Sequence, residues 1–237
     1  MKKNVALISG GYSKEDVVSF NSAKEIGKSI DKSQFSVHQV LINREKWVLV
    51  DENKQEYPID KNNFSVQKGN VIIYFDLAFI TIHGTPGEDG KLQGYFDMIG
   101  MPYTTCDAFT SSLTFNKVAT KRYLQMLGVD TAPYIFLRKG EEFNSTAIII
   151  KLGLPIFVKP NAGGSSFGVT KVKTPEALTP AIHKAFEEDS EVIIESFIDG
   201  TEVTCGLIKT LEADYIFPAT EIVSKNEFFD FQAKYNS

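Results

Sequence analysis

Val158-Lys159-Pro160-Asn161-Ala162-Gly163-Gly164-Ser165-Ser166-Phe167-Gly168 is the stretch on which the reading of this chain turns. Ile156-Phe157 leads into it and Val169–Val172 leads out, so a strand enters a glycine-rich loop and a strand resumes after it. Glycines let backbone N–H groups close on an oxyanion, and serine hydroxyls add donors. A lysine just ahead of the loop supplies positive charge for phosphate. No Gly-Lys-Ser/Thr follows, and the next element is a strand rather than a helix, which excludes a Walker loop. Taken alone, the segment also fits a plain surface hairpin.

Around this hairpin, short buried runs alternate with helical periods, the pattern of an α/β protein. Upstream, a helix is predicted from Ser112 to Leu127 with Gly128 as its C-terminal cap, then a strand over Tyr134–Leu137 and a helix ending at Leu152. Downstream, Pro175 opens a helix carrying Leu178, Ile182 and Phe186. Glu191–Phe197 and Val203–Ile208 are predicted to pair around Asp199-Gly200, with Tyr215–Phe217 and Glu221–Val223 beyond. The N-terminal block starts with a buried strand, Val5–Ser9, and the turn Gly10-Gly11-Tyr12. Ser13 is placed as the cap of a helix reaching Ile30, with Glu15 and Asp16 in its first turn, where they complement the dipole. Phe35–Ile42 is a second strand, Trp47–Asp51 and Gln55–Ile59 form a hairpin, and Leu77–Ile82 is a third buried strand ending in His83-Gly84. Leu92, Phe96 and Ile99 mark one face of a short helix. The expectation is an N-terminal open parallel sheet domain over residues 1–110 and a second domain over residues 111–237.

The 237 residues are 43% hydrophobic and 23% charged, an ordinary balance for a globular chain. A net charge of -5 builds no basic field for nucleic acid or an anionic membrane. No run of 18 apolar residues offers a membrane span. The apolar stretch within Met1–Gly10 is too short for a signal peptide, so the chain is expected in the cytoplasm. Cys106 and Cys205 lack metal-type spacing and are expected to be reduced and buried as small apolar residues. The three histidines are far apart, which argues against a histidine-based zinc site. His38 and His183 are expected at the surface, whereas His83 ends a strand at the edge where open sheets bind ligands.

Other segments are weaker singly. Glu15 either holds an amine or complements its helix. Glu195 and Glu202 flank Ser196-Phe197-Ile198, where an apolar slot with backbone partners suits adenine and a carboxylate suits ribose hydroxyls. The run from Glu227 to Tyr235 mixes aromatic and charged residues in the manner of a lid.

Together these segments resemble the D-alanine–D-alanine ligase family of the ATP-grasp fold. The matching residues are Gly10-Gly11-x-Ser13-x-Glu15-x-x-Val18-Ser19, His83-Gly84-x-x-Gly87-Glu88-Asp89-Gly90-x-Leu92-Gln93-Gly94 and Asn116-Lys117. They continue through Val158-Lys159-Pro160, Gly164-Ser165-Ser166-x-Gly168, Glu195 to Glu202 and Asp230 to Tyr235, in the family's order. The resemblance implies a reaction in which ATP phosphorylates the carboxylate of one D-alanine and the amine of a second attacks the acyl phosphate. It implies that Glu15 holds the first ammonium, with Val18 and His83 lining that pocket. Ser165 and Tyr235, hydrogen-bonded with Glu15, would tie a closing loop over the second substrate. Lys117, Lys159 and Lys234 would neutralise ATP phosphates, aided by Gly164-Ser165-Ser166. Glu195, Ser196, Phe197 and Ile198 would frame adenine, and Glu202 the ribose. By the same resemblance Tyr235 favours an amine nucleophile, because relatives that make the ester-linked product can carry phenylalanine there. A homodimer and two magnesium (or manganese) ions are further expectations of the resemblance.

This sequence departs from the family pattern at Phe229 and Phe231, where tyrosines are common, at Asn116, where aspartate is usual, and at Ser196, where lysine is common. After Tyr235 only Asn236-Ser237 remain, whereas the family continues into a region bearing the metal ligands and an oxyanion-stabilising arginine. The expectation is therefore a ligase lacking its C-terminal end and inactive as written. The alternatives are a ligase with another acceptor, D-lactate or D-serine, and a nucleotide-binding fragment that does not catalyse.

Overall fold

A computed structural model describes residues 2–223 of the chain. It divides into two compact units, one spanning Met1–Gly128 with Ala162–Gly164, the other Val129–Asn161 with Ser165–Ser237.

The first unit is built on β1 (Lys3–Gly10), α1 (Asp16–Ser29), β2 (Phe35–Ile42), β3 (Trp47–Val50), β4 (Glu56–Asp60), β5 (Ser65–Lys68), β6 (Val71–Ile73) and β7 (Leu77–Ile80). Three helices follow: α2 (Lys91–Ile99), α3 (Ala108–Phe115) and α4 (Lys117–Met126). The seven strands form one sheet in the order β6-β5-β4-β3-β2-β1-β7. β1 runs parallel to β2 and β7, and the remaining pairs are antiparallel. The sheet is therefore mixed, not the open parallel sheet expected from the sequence. Direction is set by the connections: tight links after Ile42, Val50, Asp60 and Lys68 leave no room for a crossover helix, so each reverses the chain. Ala6, Ile8, Val40, Ile42, Ala78 and Ile80 pack with Phe64, Leu92 and Phe96 as the core of this unit. Phe96 meets Phe64 edge-on at 4.9 Å between ring centroids.

Two helix ends differ from the sequence reading. Ser13 is not the cap of α1; Glu15 occupies that position, and the Ser13 hydroxyl accepts from the Glu15 N–H at 3.3 Å. The single helix predicted from Ser112 to Leu127 is two helices. Asn116 adopts an extended conformation between α3 and α4, and its side chain accepts the Ala119 N–H at 2.8 Å, starting a new helix inside an otherwise continuous apolar period.

The second unit holds β8 (Tyr134–Arg138), α5 (Ser145–Leu152), β9 (Ile156–Pro160), β10 (Thr170–Val172), α6 (Leu178–Ala185) and β11 (Glu191–Ser196). Its four-stranded antiparallel sheet has the order β10-β9-β11-β8. One face, with Val158, Val172, Val192 and Ile194, packs against Leu178, Ala181 and Ile182 of α6 and Ile148 and Leu152 of α5. The expected pairing of Glu191–Phe197 with Val203–Ile208 does not form. β11 is bonded on both edges, to β8 and β9, so it has no open side for a further strand. Residues 203–208 instead split into β12 (Val203–Thr204) and the start of β13 (Leu207–Lys209). β12 pairs with β15 (Thr220–Glu221), and β13 with β14 (Asp214–Ile216).

Both cysteines are free and exposed rather than buried as expected: Cys106 precedes the cap of α3, and Cys205 lies between two-stranded ribbons. His183 is exposed as expected. His38 is half-buried, contrary to expectation, because its ring packs edge-on to Phe75 at 5.7 Å and its Nε2 meets Asn4 Oδ1 at 3.1 Å. Burial and the nearby Lys68 hold its pKa below the usual histidine value.

Candidate active site

In the first unit the candidate residues gather at the carboxyl ends of the parallel strands, where open sheets present their loops. β1 ends at Gly10, whose left-handed backbone lets the chain turn under β2: a Cβ there would lie 2.5 Å from Ile42 O. The turn delivers Glu15, only 4% exposed, to the first turn of α1, where the helix dipole favours an anion. Its carboxylate faces two glycines. A Cβ at Gly84 would stand 2.5 Å from Glu15 Oε2 and 2.6 Å from Ser13 Oγ, and a Cβ at Gly164 would stand 3.0 Å from Glu15 Oε1. Among the described residues no cation is ion-paired with it.

Val18 is buried at 5% exposure on the same helix. His83 is half-buried, with its Nε2 3.3 Å from Ser22 Oγ, and its carbonyl accepts from Ser13 Oγ at 3.4 Å. Glu88 was not singled out from the sequence for a role. Its carboxylate accepts the Gly84 N–H at 2.7 Å. Loss of solvent around the carboxylate raises its pKa, the Gly84 hydrogen bond and His83 oppose the shift, and Glu15 adds to it.

Lys117 opens α4, and its Nζ donates to Gly163 O at 2.8 Å. A backbone bridge joins Asn116 to Ala162 beside it. This end of the unit carries an open cleft of about 480 Å³, lined by residues that include Glu88, Cys106, Lys117, Gly163 and Gly164.

In the second unit, strand alternation builds the other candidate group. Register places Lys171 opposite Phe157, Phe157 opposite Glu195, and Glu195 opposite Tyr134, so these four form a row across β10, β9, β11 and β8. Lys159, two residues from Phe157, shares that face, opposite the one packed on α5 and α6. Its Nζ donates to Glu195 Oε2 at 2.6 Å, a diagonal pair in which the Glu195 side chain is 12% exposed and the Lys159 side chain 28%. Phe157 and Phe197 stand 6.2 Å apart, and Lys171 Nζ lies 4.1 Å from the Phe197 ring centroid. Phe157 and Lys171 were missed in the sequence. Alternation from Lys159 could have found the first, whereas the second depends on non-local register.

Ser196 donates to Leu152 O at 2.9 Å, which ties its hydroxyl to the end of α5. Ile198 and Glu202 are exposed in the segment after β11. Ser165, buried, and Ser166 both take left-handed backbone angles, φ 49° and 61°. For serine such angles cost about 1–2 kcal/mol each, strain of the kind that ligand loops hold. Lys234 and Tyr235 lie outside the described residues. Among the described residues no group of three or more His, Cys, Asp and Glu is arranged to hold a metal ion, so the implied magnesium or manganese finds no ligand set there. Nor is any described helix long and apolar enough to cross a membrane.

Family models described as D-ala D-ala ligase N-terminus and D-ala D-ala ligase C-terminus match residues 4–106 and 123–237. The D-alanine--D-alanine ligase of Parabacteroides distasonis is 55% identical over 236 residues, covering 100% of this chain and 72% of that protein. The structure of D-alanyl-alanine synthetase A from Vibrio cholerae superposes with a TM-score of 0.86 at 28% identity, covering 95% of this chain and 69% of its own. That of D-alanine--D-alanine ligase from Bacillus anthracis complexed with ATP gives a TM-score of 0.67 at 30% identity, covering 86% of this chain and 62% of its own.

Proposed function

This chain belongs to the D-alanine–D-alanine ligase family, and we propose that it joins two D-alanines with ATP to make the D-alanyl-D-alanine of peptidoglycan precursors. The carrying observation is Glu15, a carboxylate 4% exposed at a helix N-terminus and facing two glycines, with no cation paired to it among the described residues. A desolvated anion in that position calls for a cationic ligand small enough to enter between glycines, and the ammonium of an amino acid is one.

The reaction then assigns the remaining groups. The carboxylate of the first D-alanine attacks the terminal phosphorus of ATP, giving an acyl phosphate and ADP. The amine of the second attacks the acyl carbon; a C–N bond forms, a proton leaves the nitrogen and phosphate departs. Glu15 holds the first ammonium in place, and Val18 and His83 form the wall beside it. Lys117, Lys159 and Lys234, with the backbone of Gly164-Ser165-Ser166, take phosphate charge. Charge stabilisation and alignment supply most of the rate. Glu195, Ser196, Phe197 and Ile198 frame adenine against the face bearing Phe157, and Glu202 takes the ribose hydroxyls. Ser165 and Tyr235 act with Glu15 on the second substrate. The ATP complex of the Bacillus anthracis relative supports the nucleotide. We place the protein in the cytoplasm, where the nucleotide is made, and read it as a homodimer.

The test, run on the full-length protein rather than on these 237 residues, which span 72% of the Parabacteroides distasonis relative, is phosphate release with ATP, Mg²⁺ and D-alanine, with the product identified by mass. D-alanine-dependent release with dipeptide is expected, and Glu15→Gln should lower kcat/KM for D-alanine by about 10²-fold. Release without D-alanine, or a product containing D-lactate or D-serine, overturns the substrate assignment. ATP binding with no turnover at any D-alanine concentration favours a nucleotide-binding module.

A further inference from the structure

Where β1 reaches the crevice, its last amide has no strand to bond. The ladder of β1 with β7 ends at the pair Ile8–Ile80, and the Thr81 N–H closes it on Ile8 O at 2.9 Å. The Gly11 N–H goes to Ile42 O on the β2 side, so by alternation the Gly10 N–H points to the β7 side, past the end of that ladder. A buried N–H there needs an acceptor from elsewhere. α1 supplies it: the Ser19 hydroxyl, 0% exposed, accepts the Gly10 N–H at 3.0 Å. Thr81, also buried, joins from a third element, its hydroxyl shared between Ile8 O at 2.8 Å and Ser19 O at 3.3 Å. Ser19 stands one helical turn after Glu15, and its own N–H donates to Glu15 O at 3.1 Å. Glu15, at the cap position, makes no side-chain capping bond that would fix it locally. Its fit is nonetheless close, since a Cβ at Gly84 would meet its Oε2 at 2.5 Å.

We propose that Ser19 is a positioning residue for the ligation. Its hydroxyl, seated on the Gly10 amide, sets the depth of α1 against the sheet and so holds the Glu15 carboxylate where it meets the substrate ammonium. Thr81 completes the seat by tying Ser19 to the strand that runs on into His83. Being buried, the Ser19 hydroxyl acts through Glu15 rather than on the substrate. The proposal rests on the reading of Glu15 as the ammonium holder.

The experiment measures kcat and the KM values for the first D-alanine and for ATP on the full-length protein and its variants. Ser19→Ala strands the Gly10 N–H. It should raise KM for D-alanine about tenfold, with kcat and KM for ATP within about twofold. Thr81→Val keeps the shape, leaves Ile8 O its bond from the Thr81 N–H and leaves Ser19 O its place in the helix. It should raise KM for D-alanine about threefold, and it carries the same test if Ser19→Ala does not fold. A merely structural role would lower kcat with the folded fraction and leave both KM values alone, a result that overturns the proposal. Ala23→Gly loosens the same helix at a buried position away from these hydroxyls and should leave both KM values within about twofold. An equal rise in KM for D-alanine from Ala23→Gly shows that any loosening of α1 suffices, and also overturns it. In a Glu15→Gln background Ser19→Ala should add less than about twofold, because nothing is left to position; a further tenfold loss there refutes action through Glu15. If Glu15→Gln alone leaves kcat/KM for D-alanine unchanged, the ammonium reading falls and the positioning role with it. If Glu15→Gln lowers it while Ser19→Ala and Thr81→Val do not, the positioning role alone falls.

Discussion

Replacing Gly84 by alanine tests whether Glu15 acts where the fold has put it. Gly84 has φ +72°, and Gly100, at the end of α2, is a matched control with φ +67°. Alanine in either left-handed position costs about 1–2 kcal/mol. The two sites differ in what a new Cβ meets. At Gly100 nothing lies within 4 Å, whereas at Gly84 the Glu15 Oε2 and Ser13 Oγ atoms lie at 2.5 and 2.6 Å. Relief of that contact requires the carboxylate to retreat by about 1 Å, since carbon and oxygen settle near 3.5 Å. Overpacking of this kind adds about 1–3 kcal/mol. Gly100→Ala should therefore lower Tm by about 2–8 °C and leave kcat/KM for D-alanine within about twofold. Gly84→Ala should lower Tm further and reduce kcat/KM about 10²-fold, the usual consequence of a 1 Å misplacement at a reacting centre. Melting curves and D-alanine-dependent phosphate release, both taken on the full-length protein, measure both. If Gly84→Ala matches Gly100→Ala in both assays, Glu15 does not hold the substrate from its present position.

Asn116→Ala removes the acceptor that caps α4 and should cost about 1 kcal/mol, or about 2–4 °C in Tm, whereas Asn116→Asp should melt like the native chain. His38 has a depressed pKa in the folded state, so as pH falls below about 6.5 the unfolded chain takes up the proton first. Its contribution is intact above that pH and declines from there down to the folded pKa; urea midpoints between pH 7.5 and 5 should show the decline, and His38→Gln should lack it. Lys159→Met removes the 2.6 Å partner of a nearly buried Glu195 and should cost about 1–3 kcal/mol together with ATP binding. Adding Glu195→Gln should recover most of the stability, but not the binding; failure to recover would show that the pair is not what the loss measures.

Much of this architecture was legible because burial and period coincide. Val5–Ser9 and Leu77–Ile82 are apolar runs, and both emerged as strands within a residue or two. Phe35–Ile42 and the hairpin after it followed the same rule. β5 and β6 escaped notice because Ser65–Lys68 and Val71–Ile73 are short and joined by an abrupt turn at Gly69. Strand direction was misjudged because periodicity is the same either way along the chain. The break at Asn116 was invisible for a related reason: one side-chain hydrogen bond overrides an apolar period that runs unbroken past it. Glu15 and Lys159 could be picked out because each sits beside a glycine-rich turn. Lys171 and the bond from the Gly84 N–H to the Glu88 carboxylate depend on contacts made by folding, and no local pattern announces them.

The start of α4 has an electrostatic consequence of its own. Lys117 is the first residue of that helix, so its cationic side chain grows from the end that already carries about half a positive charge from the aligned peptide dipoles. Helices ordinarily place acidic residues there, and a lysine works against the stability of its own element by about 0.3–1 kcal/mol. Its ammonium donates to the Gly163 carbonyl. An arriving phosphate would satisfy the side chain and the helix end together. Anion binding at the first turn of α4 and stabilisation of that helix thus become one event, and saturating ATP should slow amide exchange in the first turn of α4 more than in its last.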